Sequence, residues 1–221
     1  MTNTETYRGL TMQKLGLLAI SASLILMPAT LSAQDWQHYV DEEELFAINM
    51  PGEPEITETL YASEYGGNLP TKIYSLNVDE ADYRITVVNY GTDEQAYVRV
   101  DDHTDEDFPW LYDVRGSIAY AAHNIRERGG DITFDAWHHI EMVEGHQLQI
   151  THLDNSRTYA GIYLYEDEGR LYIVEAKVSA GGLPQGLFQQ SLSFLDQQGE
   201  RVRYILYPDG SQEKRTNLEP Y

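Results

Sequence analysis

Histidine is the residue type in this chain that first suggests chemistry. Seven are present, and four fall close together: His138, His139, His146 and His152. Imidazole transfers protons near neutral pH and is a frequent ligand of transition metals. Their surroundings alternate like β-strands, and that limits what they can do. His138 and His139 are adjacent, so a strand sends them to opposite faces and they cannot chelate one ion as a pair. A hairpin turn near residues 143–145 would set His138 beside Ile150 and His152 near Ala136. His138 and His152 are then the pair that one sheet face could offer a metal together with a carboxylate. This is the enzymatic reading of the chain: a hydrolase or metal-dependent enzyme using sheet histidines.

Other catalytic patterns are missing. The sequence has no HExxH and no GxSxG. It has no cysteine, which removes thiol nucleophiles, thiolate metal sites and disulfides. The Gly-Gly turns in GGDIT and GGLPQG lack the following Lys that a phosphate cradle needs. The acidic run DDHTDEDF lacks the central Gly and closing Glu of a calcium loop. It reads as the start of a helix, with acid at the positive end of the dipole and Pro109 in the first turn. No catalytic residue and no cofactor is therefore assigned.

A binding surface is the alternative. On one set of alternate positions the strands carry Trp137, His139, Gln149, Tyr159, Tyr163 and Lys177. Aromatic rings with polar tips bind strongly at low entropy cost, so this polar-aromatic wall is the expected recognition site for a protein partner or small ligand.

The elements that position these residues lie between 132 and 178. Four strands follow one another: ITFDAWHHIE, HQLQITHL, TYAGIYLYE and RLYIVEAKV. Residues two apart share a face. Phe134, Ala136, His138 and Ile140, then Leu148, Ile150 and His152, then Ala160, Ile162 and Leu164, then Tyr172, Val174, Ala176 and Val178 are expected to form one apolar wall. A long helix precedes this meander. Leu111, Val114, Ile118, Ala121 and Ile125 recur at helical spacing, and Gly129-Gly130 ends the run. Upstream, Phe46, Ile48 and Met50 alternate before PGEP. Residues 56–61, 72–78 and 83–90 read as further strands. Downstream, residues 184–195 read as a short helix and 201–207 as a last strand. The expected fold is α+β: an antiparallel sheet of about six to seven strands, with one long and one short helix on its faces.

Two stretches carry a resemblance. FAINMPGEP is a strand closed by proline, and RLYIVEAKV leads through a Gly/Pro linker into LFQQSLSFLD. The order of strands, long helix, four-strand meander and short helix resembles the PsbP-like α/β/α sandwich. That resemblance spans most of residues 36–195 and implies a non-enzymatic accessory or binding role. It supplies no catalytic residue. The strand at 201–207 departs from the pattern.

The remaining sequence bounds compartment and partners. Arg8 and Lys14 precede LGLLAISASLILM, and PATLSAQ follows. A basic flank, a short apolar core and small residues predict a secretory signal peptide over 1–33, cleaved after Ala33, with Met12 as an alternative start. The apolar run is shorter than the roughly 20 residues that span a bilayer. A single domain over 34–207 and a loose tail over 208–221 are expected, in a periplasmic or secreted protein with no stable membrane insertion after cleavage. The net charge of −21 repels phosphate backbones and anionic lipid, which argues against nucleic acid as a partner. A monomer is the expected state.

Overall fold

The computed structural model describes residues 36–91 and 109–215. The signal-peptide pattern over 1–33, the acidic run before Pro109 and residues 216–221 lie outside them. The first strands are β1 (Gln37–Asp41), β2 (Phe46–Met50), β3 (Glu55–Ala62), β4 (Asn68–Val78) and β5 (Ala81–Asn89). Helix α1 (Pro109–Arg126) leads into the meander β6 (Asp131–Ile140), β7 (Val143–Thr151), β8 (Arg157–Tyr165) and β9 (Arg170–Val178). A short helix α2 (Gly186–Gln190) and the strands β10 (Ser193–Phe194), β11 (Arg203–Leu206) and β12 (Gln212–Arg215) follow. The class is α+β. Seven antiparallel strands form the main sheet in the order β3-β4-β5-β9-β8-β7-β6. The long helix lies on one face. On the other sit α2 and a small sheet ordered β1-β2-β10.

Alternation and close-range turns build the sheet. In β5, Tyr83, Ile85 and Val87 point to one side and are buried there. The β4–β5 and β6–β7 hairpins are closed by two residues each, Asp79-Glu80 and Glu141-Met142, all four with positive φ. Such turns match the twist of antiparallel strands, and here non-glycine residues adopt them. Helix α1 buries Ile118, Ala121, Ala122 and Ile125 as one stripe, with Trp110 and Val114 beside it.

The expected single apolar wall is instead two walls. Paired residues on neighbouring strands share a face, so the length of each connection decides which positions join. Leu148 pairs Ala160, as the alternation predicts. Tyr165 pairs Arg170 across a four-residue connection, so Ala160 faces with Glu175 and Ile162 with Ile173. The two-residue turn at 141–142 likewise sets Phe134, Ala136 and His138 opposite Gln149, Gln147 and Gly145, with an irregularity between Ile132 and Phe134. Leu148, Ile150, Ala160, Ile162, Leu171 and Ile173 pack under α1. Tyr159, Tyr163, Tyr165, Tyr172, Val174, Ala176 and Val178 pack under the small sheet and α2.

That second core is aromatic. Phe46, at 0% exposure, meets Tyr74 and Tyr172 with ring centroids 5.1 and 6.0 Å away. Phe194 meets Tyr163, Tyr165 and Tyr172. Burying each such ring contributes about 1.5–3 kcal/mol. Polar groups at its margin clamp the small sheet down. Tyr74 donates to the Asp41 carboxylate at 2.6 Å, and Tyr172 donates to the Glu44 carbonyl at 2.7 Å. The buried Glu44 carboxylate is matched by Lys72 at 3.0 Å and Arg170 at 3.1 Å. Burial and the neighbouring Asp41 push the Tyr74 phenol far above its ordinary value, so it stays a donor.

The C-terminal region differs from expectation in two places. The helix read over 184–195 stops at Gln190. Ser191 Oγ takes over, donating to the Phe188 carbonyl and accepting from the Asn49 amide, and the backbone then pairs with β2. Leu192 and Phe194, two apart, enter the aromatic core. Tertiary pairing has overridden a helical-looking spacing. The supposed tail contains β12, which forms a hairpin with β11 outside the main sheet.

Candidate functional site

The six residues of the expected recognition wall do not come together. Tyr159 and Tyr163 are core residues, 5% and 0% exposed. Gln149 pairs Tyr159 on that same covered face and is half-buried. Trp137, His139 and Lys177 lie on the α1 side. Trp137 aligns through His146 and Ile162 with Ile173, four residues short of Lys177. Strand spacing and rise place Lys177 roughly 20 Å from Trp137. It lines a separate polar hollow with Glu80, Asp82 and Asp154.

The proposed histidine pair is also split. His138 lies opposite Gly145, whereas His152 falls just past Thr151, seven positions further along that chain segment. That is roughly 23 Å at strand rise, too far for one metal. Each has its own partners. Gln147 donates to the Tyr163 hydroxyl at 3.0 Å, leaving the phenol proton for His138 Nδ1 at 3.1 Å. Burial pushes the Tyr163 phenol up to about 12, against the Gln147 hydrogen bond. Burial, and then the neighbouring His139, hold the His138 imidazole below its ordinary value. His152 donates from Nδ1 to the Gly129 carbonyl at 3.1 Å and contacts Thr158 Oγ1 through Nε2 at 2.8 Å. It pins the turn after α1. Among the described residues, no group of three His, Asp or Glu side chains is placed to hold a metal.

What the structure does assemble is a platform on the β6–β7 hairpin. Trp137 is 71% exposed. With His138, His139 and Glu144 it lines a groove of about 410 Å³. The register sets His139 opposite Glu144 and Trp137 opposite His146. Under the indole is a fixed polar set. Arg126, in the last turn of α1, holds both oxygens of Asp135 at 2.9 Å. Asp135 in turn accepts from His146 Nε2 at 2.5 Å. Because Nε2 carries the proton for that bond, its 3.2 Å approach to Arg126 Nη2 is donor beside donor, with the carboxylate satisfying both. The His146 ring then meets Trp137 edge-on, centroids 5.3 Å apart.

Desolvation opposes the charge on Asp135, but hydrogen bonds from His146 and Arg126 outweigh it and hold the carboxyl below its ordinary 3.8. The stability this gives is complete above the unfolded value and lost as pH falls through the folded one. His138 has the same direction for another reason: protonating it is harder in the fold, so stability falls as pH drops below about 6.5. We expect the stability gap between wild type and Asp135→Asn to narrow as pH falls below about 3.8, measured by urea midpoints across a pH series. A constant gap would show that the carboxylate network contributes nothing.

Sequence reasoning missed Arg126, Asp135 and Glu144, and it gave His146, one of the four clustered histidines, no role. The two-residue turn was the available clue, since it fixes His139 against Glu144 and Trp137 against His146. The platform can stack, accept and donate hydrogen bonds, and attract cations; its side chains are imidazoles, carboxylates, an indole and a guanidinium. Family models and curated proteins give no match to this chain.

Proposed function

We propose that this chain is an exported binding protein without chemistry of its own, which docks a protein partner through the β6–β7 hairpin. The observation that carries the reading is Trp137: a large indole left mostly in water, yet edge-on to the His146 ring, which Asp135 and Arg126 hold in place. A rigid, exposed aromatic loses little freedom on binding, which is why Trp is enriched among residues that dominate binding energy. Glu144 and His139 supply polar edges around it. The signal-like segment at 1–33 supports export to the periplasm or beyond. The acidic surface supports a partner other than nucleic acid. The order of elements supports a PsbP-like relationship, and a monomeric state is part of the same proposal. A small ligand stacked on Trp137 is the second reading, favoured by a groove volume within the range of about 300–1,000 Å³ typical of ligand sites.

Trp137→Ala should leave the urea midpoint within about 0.5 kcal/mol of wild type, because the side chain is exposed. It should abolish photo-cross-linking from a probe placed at His139 in the exported protein, while a probe at the exposed Leu206 captures nothing in either background. Unchanged cross-linking in Trp137→Ala would remove the indole from the site.

A further inference from the structure

We infer that the partner engages this protein as an extended cationic segment, adding as an eighth strand along β6. The inference rests on the reading of Trp137 as the docking centre. Strand β6 is the last strand of the seven-stranded sheet and has only β7 beside it among the described residues. In such a strand, alternate backbone N–H and C=O groups face away from the neighbour and remain able to pair. Natural edges are commonly guarded by Lys or Pro. The ten residues of β6, DITFDAWHHI, contain neither. The irregularity between Ile132 and Phe134 leaves residues 134–140 in continuous register with β7. This stretch carries Trp137 at 71% exposure and Phe134 at 43% on opposite faces. An added strand would therefore find an aromatic contact on each side.

The opposite edge, β3, is a weaker candidate. Its exposed apolar residues, Ile56 and Leu60, both project to the same side, and no exposed aromatic accompanies them. Charge selects the occupant of β6. Glu141 and Glu144 flank its end and form no ion pair among the described residues, in a chain of net charge −21. A second copy would bring the same charge to the same edge and be repelled. A segment bearing Lys or Arg at alternate positions would place cations beside Glu144 and the face of Trp137. Main-chain pairing then supplies affinity, and alternate side chains supply selectivity.

The test uses the full-length processed protein and capped peptides of about nine residues, a common strand length. One alternates Lys and Val, one alternates Glu and Val, and one repeats the Lys/Val pattern with every second amide N-methylated. The Lys/Val peptide should bind and slow amide exchange within residues 134–140 by on the order of tenfold, and its affinity should weaken by on the order of tenfold between low and 0.5 M salt. The Glu/Val and N-methylated peptides should not bind. Binding of the Lys/Val peptide that depends on Trp137 but leaves β6 exchange unchanged would overturn strand addition and keep the docking site. Binding insensitive to Trp137→Ala would overturn both. Concentration-dependent dimerisation by sedimentation, with β6 protected and no peptide present, would assign the edge to a second copy and overturn the cationic segment.

Discussion

Gly145→Ala is expected to destabilise the protein by about 3 kcal/mol, at the upper end of what overpacking costs. Gly145 lies in β7 directly opposite Tyr163, whose ring is fully buried and lies across the glycine. A Cβ there would come within 2.2 Å of Tyr163 Cδ1 and 2.4 Å of the Ile162 carbonyl oxygen. The ring cannot swing away, because Phe194 packs against it and its hydroxyl is held between Gln147 and His138. Gly161 shares the duty, but a Cβ there meets only the ring, at 2.9 Å, so Gly161→Ala should cost less. Urea unfolding reads both. In a Tyr163→Ala background, Gly145→Ala should cost less than in the wild type but more than nothing, since the ring is gone and the Ile162 carbonyl oxygen remains in the way. A Gly145→Ala midpoint equal to wild type would contradict this packing.

Phe46→Ala should cost about 3–5 kcal/mol, the range for deleting a buried aromatic side chain. Phe46 is where the small sheet meets the large one, in contact with Tyr39, Tyr74 and Tyr172. Its loss leaves a cavity that those rings, each positioned by other contacts, cannot close. Amide exchange should then show β1 and β2 opening before the main sheet, whereas β6 and β7, which carry Trp137 and His146 on the far side of the sheet, keep their protection. Simultaneous loss of both would mean that the two layers unfold as one unit.

The sequence made the elements legible because alternation and helical spacing are local. Tyr83, Ile85 and Val87, or Ile118, Ala121 and Ile125, declare their faces without help from the rest of the chain. Facing between strands was not local. It depended on whether each connection held an even or odd number of residues, and the turns at Asp79-Glu80 and Glu141-Met142 lack the Asn-Gly or Asp-Gly pair that announces a two-residue hairpin. The four-residue connection at 166–169 puts Tyr159 and Tyr163 on the same face as Val174 and Ala176, where the alternation had set them apart, and the turn at 141–142 separates His138 from His152. Trp137 and His139 remained in the candidate site because β6 is at an edge. The helix expected beyond Gln190 failed for a related reason: Phe188, Leu192 and Leu195 have helical spacing, but Leu192 and Phe194 are two apart, and pairing with β2 settled the conflict.

The Asn49 amide and Ser191 Oγ are joined across 142 positions of the chain. The small sheet thus takes two strands from before the meander and one from after it. Closing so long a loop is entropically expensive unless the intervening layers have already gathered its ends. During synthesis, Phe46, Ile48 and Met50 therefore emerge early and wait for nearly the whole chain before their lid arrives. That interval is when an unshielded apolar ribbon can stick to its neighbours.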